Sequence, residues 1–445
     1  MANIYDSAYH ILNWNDCIPI SRYQYRIFID IIFYSVMKEL QSMNKKSGFI
    51  RSQRASSLQV SEIVRISEAA ISLRDKGRDI LTFGTGEPDF PTPEHVIEAA
   101  HVAAKTGQTK YPPTQGIGPL RKAIVADWER TTGVLAEPSQ VIVSNGAKQV
   151  ISNAFLATID PGDEVIVPTP YWTSYSDIIA TCEGVLGPLQ THAENQFRLQ
   201  PEDLSKAITD KTRWLMLNSP GNPSGALYPR ENLRRLADVL IEHPQVMILA
   251  DEIYQHISYD EFASFRSVAP ELADRTLIVN GVSKAYSMTG WRIGWGIGPT
   301  EMIAPMTAVQ GQSTSGASSI SQAAATAALS GPQELLASRL RDFRDRRDFV
   351  VEQINATSLL KCEPPGGAFY VFPDCSGVIG KRRPGGQKIG TDADFCDFLL
   401  NDFGVALVPG RAFGAPGHFR ISYAYSMADL TEGCARIAKA VAALS

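Results

Sequence analysis

The stretch VMILADEIY, residues 246–254, sets five apolar residues directly ahead of a carboxylate, Asp251. It is too short for a typical helix and shows no polar alternation, so it reads as a strand covered on both faces. Four more runs share this texture: VIVSNGAKQ (141–149), EVIVPTP (164–170), RWLMLNSP (213–220) and TLIVNGVSK (276–284). Helical segments lie between most of them, which predicts an α/β fold with a parallel sheet buried by crossover helices. In such sheets ligands bind beyond the carboxyl ends of the strands. The residues that follow these runs are polar: Asn145 to Lys148, Asn218 to Asn222, Asp251 and Lys284.

Working outward, SEIVRISEAAISLRDKG (61–77) has apolar residues at helical spacing and stops at Gly77. TPEHVIEAAHVAAKTG (92–107) reads as a helix capped by Thr92 with proline at its first position. A long charged helix spans 331–357, followed by the strand signals GGAFYVFP, GVALVPG and FRISYAY. These predict a smaller α+β domain. The expected organisation is an N-terminal extension outside the catalytic fold (1–57), a first part of the small domain (58–95), a large domain (96–335) and the rest of the small domain (336–445). The basic, glycine-rich GKRRPGGQKIG (380–390) reads as a solvated hairpin tip.

A chain of 445 residues, 44% hydrophobic and 20% charged, is an ordinary globular composition with room for two lobes. The net charge of -5 argues against broad binding to nucleic acid or to anionic membrane. The six cysteines (Cys17, Cys182, Cys362, Cys375, Cys396, Cys434) form no CxxC pair, and the seven histidines show no HExxH. Neither a disulfide scaffold nor a metal site is expected, and a cytoplasmic setting follows. The apolar run within 25–37 carries Asp30 and is too short to span a bilayer. Met43 is a plausible alternative start.

Each polar group has two readings. Lys284 either snorkels to water or is a reactive amine, with Arg292 holding an anion nearby. Asp251, at the end of an apolar strand, either meets an internal arginine or keeps a heteroaromatic nitrogen protonated. SNGAKQ opens a helix whose bare amides suit a phosphate, or is a turn built for geometry. In NSPGNPSG (218–225), Asn222 either shapes a rigid turn or donates its amide to a bound oxygen. FRISYAY alternates, so Arg420 and Ser422 share one face; the arginine pairs with an acid or grips a substrate carboxylate. GxxxxGK[ST] and GxGxxG are both absent. Reactive amine, strand-end carboxylate, phosphate cradle and carboxylate fork together are what pyridoxal phosphate chemistry on amino acids requires.

From about residue 58 onward the chain resembles the class I pyridoxal-phosphate-dependent aminotransferases, in particular their bacterial aspartate aminotransferase branch. GEPDF, KYPPTQGIGPLR, SNGAKQ, YWTSY, NSPGNPSG, ADEIY, SKAYSMTGWRIG, GGAFYVF and FRISYA carry the resemblance. It implies a mostly parallel seven-stranded-type sheet in the large domain. It also implies that Lys284 forms the Schiff base with the cofactor and moves protons, and that Asp251 binds the pyridine nitrogen. Asn222 and Tyr254 would hold the phenolate oxygen. Gly146, Ala147, Lys148, Ser283 and Arg292 would surround the phosphate, and Tyr111 would reach in from the neighbouring subunit of a homodimer. Trp172 would stack on the ring, and Gly86, Trp172, Asn222 and Arg420 would receive the substrate. The implied reaction is ping-pong transfer of the amino group of L-aspartate, or a similar L-amino acid, to 2-oxoglutarate. Members that also use prephenate carry a lysine where Gln59 aligns, which argues against prephenate here. Other readings stay open at this point: an aromatic or broad-specificity aminotransferase, a relative catalysing elimination on the same cofactor, and a pyridoxal-phosphate-binding regulator.

Overall fold

The computed structural model describes residues 50–58 and 61–445. The segment 25–37, Met43 and Gln59 lie outside the described residues. The chain divides after Ser56, and every strand named below belongs to the unit Ser57–Ser445.

A short strand, β1 (Leu81–Thr82), precedes the seven strands of the main sheet: β2 (Val141–Ser144), β3 (Glu164–Pro168), β4 (Val185–Leu189), β5 (Thr212–Asn218), β6 (Met247–Asp251), β7 (Thr276–Gly281) and β8 (Gly294–Ile297). Their spatial order is β2-β8-β7-β6-β5-β3-β4. Every pairing is parallel except the two made by β8, so six strands run one way and β8 opposes them. The apolar runs are central because helices cover both faces, leaving no solvent side on which polar residues could alternate. Ile248, Leu249, Leu277, Ile278, Val141 and Leu215 are all fully buried.

The sequence pattern missed two strands. β4 lies at the sheet edge, is only half-buried and holds a glycine and a proline, so it lacks the apolar run. β8 reads GWGI, and its glycines answer to the helix Ala147–Thr158 packed across it. A Cβ on Gly294 would come within 2.2 Å of the Ala147 nitrogen.

A second hydrophobic cluster, built around Phe369, Phe395, Phe398, Phe419 and Ile421, surrounds two smaller sheets. One is antiparallel, in the order β11 (Val408–Pro409), β12 (Phe419–Ser422), β9 (Tyr370–Val371). In the other, β1 pairs in parallel with β10 (Val405–Ala406), which ties the segment near residue 80 to the C-terminal region. The charged helix runs from Glu334 to Asn355. In 380–390 an Arg382–Lys388 bridge closes a hairpin with Gly385 and Gly386 exposed at its tip.

The expected cap at residue 92 differs. The helix is Glu94–Lys105 and Pro93 occupies its cap position, so the Thr92 hydroxyl is not used for capping. It donates instead to the Ser287 carbonyl. Among the described residues no helix is long and apolar enough to cross a membrane.

Candidate active site

The carboxyl ends of the central strands open onto a cavity of about 350 Å³. Its lining brings together Gly86, Ala147, Lys148, Trp172, Asn222, Asp251, Tyr254, Ser283, Lys284, Arg292 and Arg420, which were singled out along some 330 residues of sequence. Gly146 is adjacent to Ala147 and in contact with Arg292. Tyr111 is not on the cavity: its side chain is 94% exposed, beside the segment 314–320.

Asp251 ends β6 and is only 3% exposed. The Tyr175 hydroxyl donates to its Oδ2 at 2.7 Å, and the Ile253 amide donates to Oδ1 at 3.2 Å. Among the described residues no arginine pairs with it, so the internal ion pair considered for this carboxylate does not form. Burial pushes its pKa up to about 6, with the phenol, the amide and Lys284 pulling it back. The next residue, Glu252, does not line the cavity. Its Oε1 accepts from Ser264 and Phe265, and burial raises it to about 8.

Lys284 lies three residues beyond the end of β7. Its Nζ donates to the Gly86 carbonyl at 2.6 Å. Burial lowers the amine to about 8, helped by the nearby Arg420 and Arg292 guanidinium groups. A lysine near that value delivers a neutral amine far more readily than an exposed one, which is what nucleophilic attack or proton abstraction needs.

Gly146 has a left-handed φ of 83° and leads straight into the helix Ala147–Thr158, with no side-chain cap on its first amides. A Cβ at Gly146 would come within 2.6 Å of Arg292 Nη2. Bare helix amides, a guanidinium and the Lys148 amine therefore converge, a combination suited to a doubly charged anion. Lys148 Nζ stands 4.9 Å above the Trp172 ring, and burial lowers its pKa.

Arg420 is 2% exposed on β12. Ser422 is also buried, so the alternation in FRISYAY separates two buried faces rather than core from solvent. Nη1 of Arg420 donates to Asn222 Oδ1 at 2.8 Å, Nη2 donates to the Gly84 carbonyl, and Nε has no partner among the described residues. The guanidinium lies 4.6 Å over the Tyr370 ring, and no acidic side chain pairs with it among the described residues. Tyr370 and Tyr254 share a hydrogen bond of 2.8 Å. A Cβ on Gly86 would meet the Tyr370 hydroxyl at 2.4 Å, so the strap past Lys284 needs glycine there.

Sequence reasoning gave no role to Tyr175, Tyr370 or Asn218, although all three fall in the quoted motifs. Asn218 donates from Nδ2 to the Asp251 carbonyl at 2.9 Å and accepts the Asn222 amide at 2.8 Å. Only Asn218 carried a signal, its position at the end of an apolar strand; Tyr175 lies in the helix Ser174–Thr181 and Tyr370 within β9, where nothing local marks them.

A lysine poised as an amine, an unpaired strand-end carboxylate and an anion cradle at one parallel-sheet edge define an aminotransferase-type site. The chain belongs to the family of class I and II aminotransferases, whose model matches residues 78–437. It is 51% identical over 403 residues to the aspartate aminotransferase of Rhizobium meliloti (strain 1021), covering 90% of this chain and 98% of that one. The aspartate/prephenate aminotransferase of Cereibacter sphaeroides is 48% identical, over 86% of this chain and 97% of its own. The crystal structure of the Rhizobium meliloti enzyme superposes with a TM-score of 0.87 at 51% identity, over 89% of this chain and all of that one. The Thermus thermophilus aspartate aminotransferase with maleate gives a TM-score of 0.82 at 40% identity, over 88% and 100%.

Proposed function

We propose that this aminotransferase uses pyridoxal phosphate to move the amino group of L-aspartate, or a similar L-amino acid, to 2-oxoglutarate. One observation carries the reading. Among the described residues, a single cavity holds an amine, Lys284, together with a carboxylate that has no cation and a guanidinium that has no anion. The residues fit the cofactor. Gly146 leaves room beside Arg292 for a phosphate at uncapped helix amides, and Asp251 offers a buried acceptor suited to a protonated ring nitrogen.

When bound, pyridoxal phosphate supplies an aldehyde for an amine and a ring that accepts the electrons of a Cα carbanion. Asp251, ionised, holds the proton on the ring nitrogen and so keeps that sink open. Asn222 Oδ1 accepts from Arg420, which leaves the Asn222 amide N–H groups, with the Tyr254 hydroxyl, to donate to the phenolate oxygen. Gly146, Ala147, Lys148, Ser283 and Arg292 hold the phosphate, and Trp172 covers the ring. Arg420 grips the substrate α-carboxylate beside Gly86, which fixes the Cα proton near Lys284. Lys284, as a free amine, would take that proton from Cα and deliver it to the carbon that the cofactor's aldehyde supplies. Two such half-reactions at one site give ping-pong kinetics.

The same reading makes residues 58–95 and 336–445 one small domain, 96–335 the large domain, and 1–57 an extension outside both. It assigns a homodimer in which the exposed Tyr111 of one protomer completes the phosphate site of its partner. The cytoplasmic setting rests on the scattered cysteines. The purified protein is expected to show a visible absorbance band that L-aspartate discharges without any oxo acid. A band discharged only by aromatic amino acids would remove aspartate and keep the transaminase. No band after adding pyridoxal phosphate would overturn the role of Lys284.

A further inference from the structure

Lys284 and Arg292 lie on one connection, residues 282–293, between β7 and β8. Its regular structure is a single turn, Thr289–Trp291. Two of its non-glycine residues are left-handed, Ser287 at φ 54° and Arg292 at φ 56°. Side-chain-bearing residues resist that conformation, so it persists only where surrounding contacts enforce it.

The Thr92 hydroxyl supplies such contacts. It donates to the Ser287 carbonyl at 2.8 Å and accepts the Trp291 indole N–H at 3.1 Å. Both its donor and its acceptor are therefore spent on this one connection, at points four residues apart. Lys284 lies three residues before the first anchor, and Arg292 directly follows the second. Arg339 fastens the strap that carries Thr92, residues 86–92, to the same connection, donating to the Pro91 carbonyl at 2.6 Å and to the Ala285 carbonyl at 3.1 Å. The other end of the strap, the Gly86 carbonyl, accepts from Lys284 itself.

We infer that Thr92 is a positioning residue, whose hydroxyl sets the placement of the Lys284 amine relative to the Arg292 guanidinium. The inference rests on the proposed aminotransferase chemistry. It requires the hydroxyl and not merely the volume of the side chain, because a methyl in its place can neither donate to Ser287 nor accept from Trp291.

The test compares Thr92→Val, which keeps the shape, with Thr92→Ser, which keeps the hydroxyl. The dissociation constant of pyridoxal phosphate from cofactor-free protein is measured by fluorescence titration, and kcat and KM are measured separately. In T92V, cofactor affinity and kcat are each expected to fall roughly tenfold, as for a displaced pair of interacting groups. KM for the amino donor, governed by Arg420, holds within about twofold, and T92S restores both cofactor affinity and kcat. Wild-type cofactor affinity and kcat in T92V would overturn the inference, as would a T92S protein as impaired as T92V. Should T92V fail to fold, Trp291→Phe removes only the indole donor and carries the same expectations in direction. A wild-type protein that binds no pyridoxal phosphate would overturn both the proposed function and the inference. Normal wild-type binding with an unaltered T92V overturns the inference alone.

Discussion

Replacing Asp251 by asparagine should stabilise the cofactor-free protein while destroying its activity. Burial lifts this carboxyl from its ordinary 3.8 to about 6. At neutral pH the folded chain must therefore keep a carboxylate ionised where its surroundings favour the acid. Each pH unit between the two values is worth about 1.4 kcal/mol, so the cost approaches 3 kcal/mol at pH 7. The sign follows from proton binding. Between pH 4 and 6 the folded state holds a proton that the unfolded state has lost, so stability falls as pH rises through this window and then levels off. At pH 5 the cost is roughly half of that. Asparagine removes the charge but weakens the 2.7 Å bond from Tyr175, a loss of about 1 kcal/mol. The net gain for D251N is thus about 2 kcal/mol at pH 7, shrinking towards zero near pH 5. Urea unfolding of both cofactor-free proteins at pH 5, 6, 7 and 8 measures it. A D251N protein less stable than wild type at pH 7, or a difference that does not change with pH, would refute the reasoning. Transamination by D251N should fall by orders of magnitude at every pH, since the amide cannot balance a ring cation.

The mirror-image case is Lys284. Burial lowers its amine from 10.5 to about 8, so between those values the unfolded chain holds a proton that the folded one has released, and stability rises with pH. Lys284→Met should therefore exceed wild type in cofactor-free stability below pH 8 and lose that advantage by about pH 10.5, again read by urea midpoints. Its activity should drop by roughly four orders of magnitude. At Gly146, alanine brings both an unfavourable φ of 83° and a Cβ 2.6 Å from Arg292 Nη2. Gly146→Ala is expected to weaken retention of pyridoxal phosphate by about tenfold on dialysis, through displacement of the guanidinium.

What the sequence made legible depends on which forces are local. The apolar runs at 246–250 and 276–279 betray a doubly covered sheet because burial on both faces forbids alternation. The groups beyond their ends stand out because polar residues there are not needed for the core. β8 stayed hidden because its glycines answer to a helix more than a hundred residues away in sequence. Thr92 was misread for the same kind of reason. Its setting looks like a helix start, yet its partners, Ser287 and Trp291, are about two hundred residues on. Tyr175 resembled any aromatic core residue until its hydroxyl was found on Asp251. The partner of a buried charge is chosen by the tertiary fold, and no local spacing records it.

The site also explains why its ionisable groups are left without one another. Asp251, Lys284 and Arg420 line the same cavity, and burial displaces each from its ordinary value toward its neutral form. A fold selected for stability alone would pair acid with base; here the phenol of Tyr175 meets the acid, and backbone carbonyls meet the amine and part of the guanidinium. Neutral dipoles of this kind hold a charge in place without cancelling it. The acid stays available to a cation, the guanidinium to an anion, and the amine to a carbon atom. A molecule carrying a cationic ring nitrogen, joined to one carrying a carboxylate, would relieve the strain of all three at once. The free energy held in those unpaired charges is then recovered on binding, where it favours the reacting arrangement over the empty one.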